Sequence, residues 1–360
     1  MKSKYSYERN KITKKIFYSI IISLGTVVFI FSYFSYRGTS VPDLSFRILP
    51  LIHGALCMVG AWIFDALRIF ITVRAWGKII LFRNALSTVL TAYFMSSITP
   101  FMLGGGPAQM YVLSRSGLTW GEAGSLVVVC GILYQVSLLF LIGVFIFIFH
   151  IQVALQGILL KLLYSFAIFY SIIMFLLFYF LYHPQVLYRF TNWIINFVKK
   201  YFRKVKFSEV AVRAWVEEFF DDFRRGFSIL FLKKPQYLVW NVLFYNLRYL
   251  AIFMVAFWVL WSLGVFVHPL KVIGLQVPLN YIFSLMPTPG SSGGVEVSIA
   301  SVFVPYISTQ KIGIFVILWR TITFYFPLII GGISFFQIMM KPNSTVLPET
   351  IKYGDELEKG

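Results

Sequence analysis

The chain has 360 residues, 59% of them hydrophobic and 13% charged, with a formal net charge of +18. A soluble domain of this length carries far more charge, so the composition reads as an all-α polytopic integral membrane protein; a β-barrel would show short alternating segments instead. The positive charge does not point to nucleic acid, because the basic residues cluster beside apolar spans, where topology and anionic inner-leaflet lipid account for them.

Taken in chain order, apolar runs long enough for a ~30 Å hydrocarbon core predict spanning helices at about 16–35, 48–72, 121–149, 157–182, 236–263 and 312–338. The basic N-terminus leads into the first run with no small-residue cleavage signal after it, which reads as a retained helix rather than a signal peptide. In the second run Asp65 and Arg68 share a helix face; near the inner end, a local salt bridge is the expectation. Two further regions, 84–116 and 271–310, are apolar but interrupted by proline and glycine.

The positive-inside rule orients most of the chain. Residues 1–15 hold six Lys/Arg, and the segment 183–235 holds eleven, so both are expected on the cytoplasmic side. Residues 36–46, 150–156 and 264–270 then fall outside. Region 84–116 must return to the side it starts from, which predicts a helical hairpin. Its first arm of about 15 residues, roughly 22 Å long, favours a re-entrant form. "TPFMLGG" (99–105) and "TPGSSGG" (288–294) share the spacing TP-x3-GG at an offset of 189 residues. The surroundings match as well, which predicts a duplicated unit with inverted topology. Its two tips are expected to face one another across a polar cavity near mid-membrane.

Within 183–235, Phe190, Trp193, Ile194, Phe197 and Tyr201 form one apolar helical stripe, and Val212, Trp215, Phe219 and Phe223 form a second. These are amphipathic helices, lying either on the inner leaflet or against the underside of the membrane domain. The expected organisation is one transmembrane domain over 1–340, with hairpins at 84–116 and 271–310 and a cytoplasmic tail at 341–360.

Irregular backbone at membrane depth is tolerated only where protein buries it or where it lines a wet cavity. In the second break Gly293 and Gly294 permit close backbone approach, and Ser291 and Ser292 supply hydroxyls; the alternative is a plain tight turn. Helix N-termini exposed at such a break suit an anionic group, above all a phosphate. Glu296 opens the following helix, either as a cap or as a proton-linked group or partner for a cationic headgroup. Arg248 and Arg320 lie deep in their spans and each must find an anion, an internal carboxylate or a lipid phosphate. Asn246 lies beside Arg248 in sequence, and Gln109 follows the first break, where it could satisfy freed backbone or touch substrate. Cys57, Cys130 and the four histidines have no metal-ligand or disulfide spacing, and no Ser-His-Asp set, acidic pair or Walker loop is present. No catalytic residue and no cofactor is expected.

"PTPGSSGGVE", followed by "LWRTITFYFPLIIGG" with Arg320, Tyr325, Pro327 and Gly331, resembles the membrane domain of the lysylphosphatidylglycerol synthase/flippase family. "TPFMLGGGPAQMYVLSRSGLTWGEAG" resembles that family's first conserved block, and the similarity spans about residues 12–340. The resemblance implies a flippase-like domain, which in full-length members moves an aminoacylated phospholipid between leaflets. Aminoacyl transfer there belongs to a separate soluble C-terminal domain, for which this chain has no room. Glu296 and Arg320 match the family pattern. The first block departs from it, with Gly106 and Gln109 where members often carry an acid and an arginine.

The reading is thus a multi-pass plasma-membrane lipid translocase with a cytoplasmic N-terminus, acting on an anionic or aminoacylated phospholipid or a lipid-linked headgroup. Arg248, Glu296, Arg320, Ser291, Ser292, Gly293, Gly294, Gln109 and Asn246 are its candidate substrate-binding residues. The alternatives are a lipid-modifying membrane enzyme, such as the lysyltransferase of the family name, and a non-transporting scaffold. Oligomeric state is left open.

Overall fold

The computed structural model describes residues 45–147 and 209–340 apart from Leu285, together with isolated positions at 25, 165, 168, 171, 172, 175, 176, 179 and 189. The predicted spans at 16–35 and 157–182, the stripe at 190–201 and the tail at 341–360 lie outside the described residues or touch them only at isolated positions. Every element among the described residues is helical. Among the described residues, four helical stretches are long and apolar enough to cross a membrane: Ile48–Trp76, Trp120–Phe145, Gln236–Ser262 and Thr309–Met340. They coincide with four of the predicted spans, and the chain is a multi-pass all-α membrane protein.

The first half contains α1 (Ile48–Val73), α2 (Phe82–Ser97), a short 3-10 turn (Pro100–Met102), α3 (Gly105–Ser114) and α4 (Trp120–Phe147). After α5 (Glu209–Ser228) the second half contains α6 (Gln236–Ser262), α7 (Pro269–Gln276) and α8 (Leu279–Ser284). A second 3-10 turn (Pro289–Ser291) follows, then α9 (Gly294–Phe303), α10 (Thr309–Arg320), a π-helical segment (Thr321–Tyr325) and α11 (Phe326–Met340).

The offset read from TP-x3-GG holds through the fold. Adding 189 to the bounds of α3 gives the bounds of α9, and adding it to Trp120 gives Thr309, where α10 begins. Shifted by the same amount, α1 falls one residue inside the start of α6 and ends with it. The arms before the turns differ. In the first half the arm is one helix, α2, whereas the corresponding arm of the second half is divided into α7 and α8, a break absent from the expectation of a single arm.

The two halves are inverted. Equivalent helices α1 and α6 pack against each other, and the backbone N–H of Arg47 donates to Ser262 O at 2.8 Å, joining the start of one to the end of the other. Further along, Gly54 meets Trp258 and Val255, while Arg68 reaches Asn241. Equivalent spans running antiparallel place the pseudo-two-fold axis in the membrane plane. The α2 arm packs on α11, where Gly331 lies so close to Leu90 O that an added Cβ would stand 2.4 Å away. The equivalent α7 packs on α6, and Ile273 and Val277 belong to one apolar cluster with Tyr249 and Phe253 of α6 and Leu138, Leu141 and Phe145 of α4.

Of the two placements open for the second amphipathic stripe, the fold adopts the packed one. Gly121 and Gly124 on α4 leave room for the backbone and ring of Phe219, and Phe223 and Phe227 are buried. Asp222 pairs with Arg225 on the same helix, and Arg213, Glu217, Glu218 and Arg224 are exposed.

Candidate functional site

The two breaks form the same backbone turn. A residue before proline is pushed to extended backbone, and Thr99 (φ −117°, ψ 142°) and Thr288 (φ −85°, ψ 149°) both comply. Two left-handed residues follow Pro100 and Pro289: Phe101 (φ 53°) and Met102 (φ 56°), Gly290 (φ 60°) and Ser291 (φ 55°). The hydrogen bonds repeat at the same offset. Met102 N donates to Thr99 O and Ser291 N to Thr288 O, at 3.3 and 3.0 Å, and Leu103 and Ser292 donate to the proline carbonyls, each at 3.2 Å. Three matching torsional states and two bonds in register are stronger evidence for duplication than the short sequence match.

The turns touch, which corrects the expectation of a polar cavity between them. An added Cβ on Gly290 would stand 3.0 Å from Ser97 O of the first hairpin and 2.3 Å from the ring of Phe324. Only glycine fits there, and its positive φ suits glycine as well. The π-helical segment directly after Arg320 sets Phe324 in this position, an irregularity of the kind often found at functional sites.

Around the second turn, Arg320 Nε donates to Glu296 Oε1 at 2.8 Å and Nη2 to Gly290 O at 3.4 Å. The other carboxylate oxygen of Glu296 accepts from Gly293 N at 2.8 Å, capping the start of α9. Glu296 is fully buried and Arg320 nearly so. The arginine therefore has the internal carboxylate as its partner, and Glu296 serves as cap and counter-ion together. Ser291 Oγ donates to Phe283 O at 2.6 Å, closing the turn on the arm before it. Gly294 sits under Met286, where an added Cβ would stand 2.3 Å from Sδ. Ser292 is buried and its hydroxyl has no hydrogen-bond partner among the described residues.

A second polar cluster lies between α1, α2, α4 and α6. Arg68 donates through Nε to Asp65 Oδ1 at 2.8 Å, and its guanidinium lies 4.4 Å from the Tyr245 ring centroid. The predicted local pair is thus present, but it is buried inside the bundle rather than near a snorkelling end. Arg248 Nε stands 3.5 Å from the other oxygen of Asp65. Nε and Nη2 of Arg248 both donate to the Tyr93 hydroxyl, at 3.1 and 2.9 Å. The rings of Tyr93, Tyr134 and Tyr249 surround the guanidinium at 5.5 to 5.8 Å. Nη1 is buried with no partner among the described residues. Asn241 donates to Thr72 and accepts from Arg68.

The structure brings Ser291, Ser292, Gly293, Gly294, Glu296 and Arg320 together at the second turn. It places Arg248 in the other cluster. Asn246 instead lines an open apolar groove with Phe140, Leu238, Val242 and Leu243, its side chain donating to Val242 O. Gln109 is half-buried on α3 and joins neither cluster. Asp65, Arg68, Tyr93 and Tyr134 are the polar residues that sequence reasoning did not assign to a site. An acid and a base well inside a spanning run were the available signal for the first two; nothing in the sequence marks the tyrosines, whose role depends on contacts across helices.

Residues 16–331 match the family described as the lysylphosphatidylglycerol synthase TM region. A UPF0104 membrane protein of Archaeoglobus fulgidus is 27% identical over 320 residues, covering 88% of this chain and 94% of that protein.

Proposed function

Starting from the lysylphosphatidylglycerol synthase TM-region family, to which this chain belongs, we propose that it is a lipid translocase. Its substrate would be an anionic or aminoacylated phospholipid, or a lipid-linked headgroup, moved between the leaflets of the plasma membrane. The family name supports a role in lipid metabolism or transport. The observation that carries the finer reading is the inverted pair of broken hairpins, their turns packed against each other with the second one buried. Inverted repeats joined at discontinuous helices are an architecture for alternating access, because two near-equivalent packings can exchange about the pseudo-two-fold axis. In this reading the Lys/Arg-rich N-terminus and the 183–235 segment are cytoplasmic, beside anionic inner-leaflet lipid. Gln109 and Asn246 are expected to meet substrate only in passing, since neither belongs to a polar cluster.

Reconstitution into vesicles with a headgroup-labelled phosphatidylglycerol tests this. The labelled lipid initially in the inner leaflet should become accessible to an impermeant quencher in protein-containing vesicles and stay protected in protein-free ones. Equal protection in both would overturn the translocase reading. A covalent lipid product on incubation with aminoacyl-tRNA would replace it with the enzyme reading.

A further inference from the structure

We infer that Arg248, backed by Arg68 and Asp65, forms a binding site for a singly charged phosphodiester anion. The inference rests on the translocase reading only for the source of that anion. The charge count comes first. Two guanidinium groups share the single Asp65 carboxylate, at 2.7 Å from Arg68 and 3.5 Å from Arg248. Among the described residues the cluster thus holds one positive charge in excess, between helices that cross the hydrocarbon. An uncompensated buried charge is strongly unfavourable, so the arrangement calls for one negative charge from outside the protein. A phosphodiester carries one.

Geometry indicates where it sits. Asp65 spends one oxygen on Arg68 in a close, two-pronged contact, leaving the longer contact for Arg248. The Tyr93 hydroxyl accepts from Nε and Nη2 of Arg248, and three tyrosine rings fix the plane of the guanidinium. What remains is Nη1, a buried cationic N–H group without an acceptor among the described residues. Arg320 offers no such excess, because it pairs with the carboxylate of Glu296 at 2.8 Å. The tyrosine hydroxyl also couples the site to the first hairpin, since Tyr93 stands on α2 and Arg248 on α6. An anion at Nη1 would therefore bridge the element that the repeat allows to move and the span that stays with the other half.

The test uses the purified full-length chain in detergent and three additives: phosphatidylglycerol, diacylglycerol and inorganic phosphate. Thermal stability is titrated against each. The wild type should be stabilised saturably by phosphatidylglycerol and not by diacylglycerol, which lacks the phosphodiester. Arg248→Gln should weaken the apparent phosphatidylglycerol affinity at least tenfold. Asp65→Asn should strengthen it, because the charge excess rises from one to two. This opposite sign separates an anion site from a merely structural cluster, in which both variants would lower the starting stability and leave the lipid dependence alone. Arg248-dependent stabilisation by inorganic phosphate would assign the same chemistry to a free anion as well as a headgroup; its absence, with the lipid effect retained, confines the site to lipid. An Arg248→Gln affinity within twofold of wild type would overturn the inference. Should that variant not fold, Asp65→Asn decides alone, and an unchanged or weaker affinity there overturns it. Translocation measured in parallel keeps the two readings apart. Binding lost in Arg248→Gln without any wild-type translocation leaves the site standing and removes the transporter, and translocation with wild-type-like binding in that variant does the reverse.

Discussion

In the first hairpin the left-handed positions are Phe101 and Met102, and both are exposed, with Leu103 beside them; in the second they are Gly290 and Ser291, and both are buried. The backbone is the same to within a few degrees at Phe101 and Gly290. Even the capping differs. The N–H of Gly104 donates to Thr99 Oγ1 at 2.8 Å, and the N–H of its equivalent, Gly293, donates to Glu296 Oε2. Thr288, freed from that duty, donates to Ser292 O instead. Shifting Glu296 and Arg320 back by 189 residues gives Pro107 and Gly131, so the ion pair has no counterpart in the first half. The duplicated unit preserved its turn, which proline and the chain's own sterics enforce. It diverged in what the turn is tied to: the second hairpin is locked by a buried charge pair, and the first is held by hydroxyl and backbone contacts. Under the proposed translocase reading, the second hairpin is the fixed half of the pair and the first is the half free to change.

The all-or-none test of this comparison is topology. If equivalent spans are inverted, the loops after α1 and α6 lie on opposite sides of the membrane. Single cysteines at Lys78 and His268, in a background with Cys57 and Cys130 replaced, should label with an impermeant maleimide from opposite faces of sealed vesicles. Labelling from one face would dissolve the inverted repeat.

The next largest effect belongs to the ion pair. Removing one partner, by Arg320→Met or Glu296→Gln, leaves a buried unpaired group and should lower stability by about 3–5 kcal/mol. Combining both changes should recover much of that loss if the pair is a lock, while Gly131→Ala, with nothing within 4 Å of its added Cβ, should leave stability unchanged. Denaturation of the four variants in detergent would settle it. A double variant no more stable than either single would show that the two residues do not act as a pair.

A sign reversal is expected at the turns. Gly290→Ala places a methyl against Phe324 and Ser97 in a left-handed backbone and should cost about 2–4 kcal/mol. At the equivalent exposed position, Phe101→Gly relieves the same backbone strain without opening a cavity, and should stabilise by up to about 1 kcal/mol. Paired thermal melts test the signs, and a loss at both positions would mean that the first turn is as tightly held as the second.

The smallest effect is predicted at Ser292. Its hydroxyl is buried without a partner, so Ser292→Ala should change the stability of the free protein by less than about 1 kcal/mol, in the stabilising direction. A clear loss in the same melts would show that the hydroxyl is satisfied after all. A drop in lipid translocation without any loss of stability would instead place the hydroxyl on the substrate's path.

Composition and the length of the apolar runs determined the membrane class and the four described spans, because a bilayer demands about 20 apolar residues per crossing whatever they pack against. The breaks at 98–104 and 285–293 were legible for a similar reason: proline and glycine act on the local backbone, and two matched sets at one offset marked a repeat. Glu296 could be placed at a helix start from its spacing to the glycines. Tertiary structure alone decided that Arg320 rather than Arg248 takes that carboxylate, that Asp65 and Arg68 are buried with Arg248, and that Tyr93 joins them. It also decided that the two turns touch instead of facing a cavity. These are pairings between residues 24 to 193 positions apart in the chain. Local sequence fixes which groups are present and the turn of backbone that carries them; which cation meets which anion depends on how helices cross, and that is set by packing over the whole bundle.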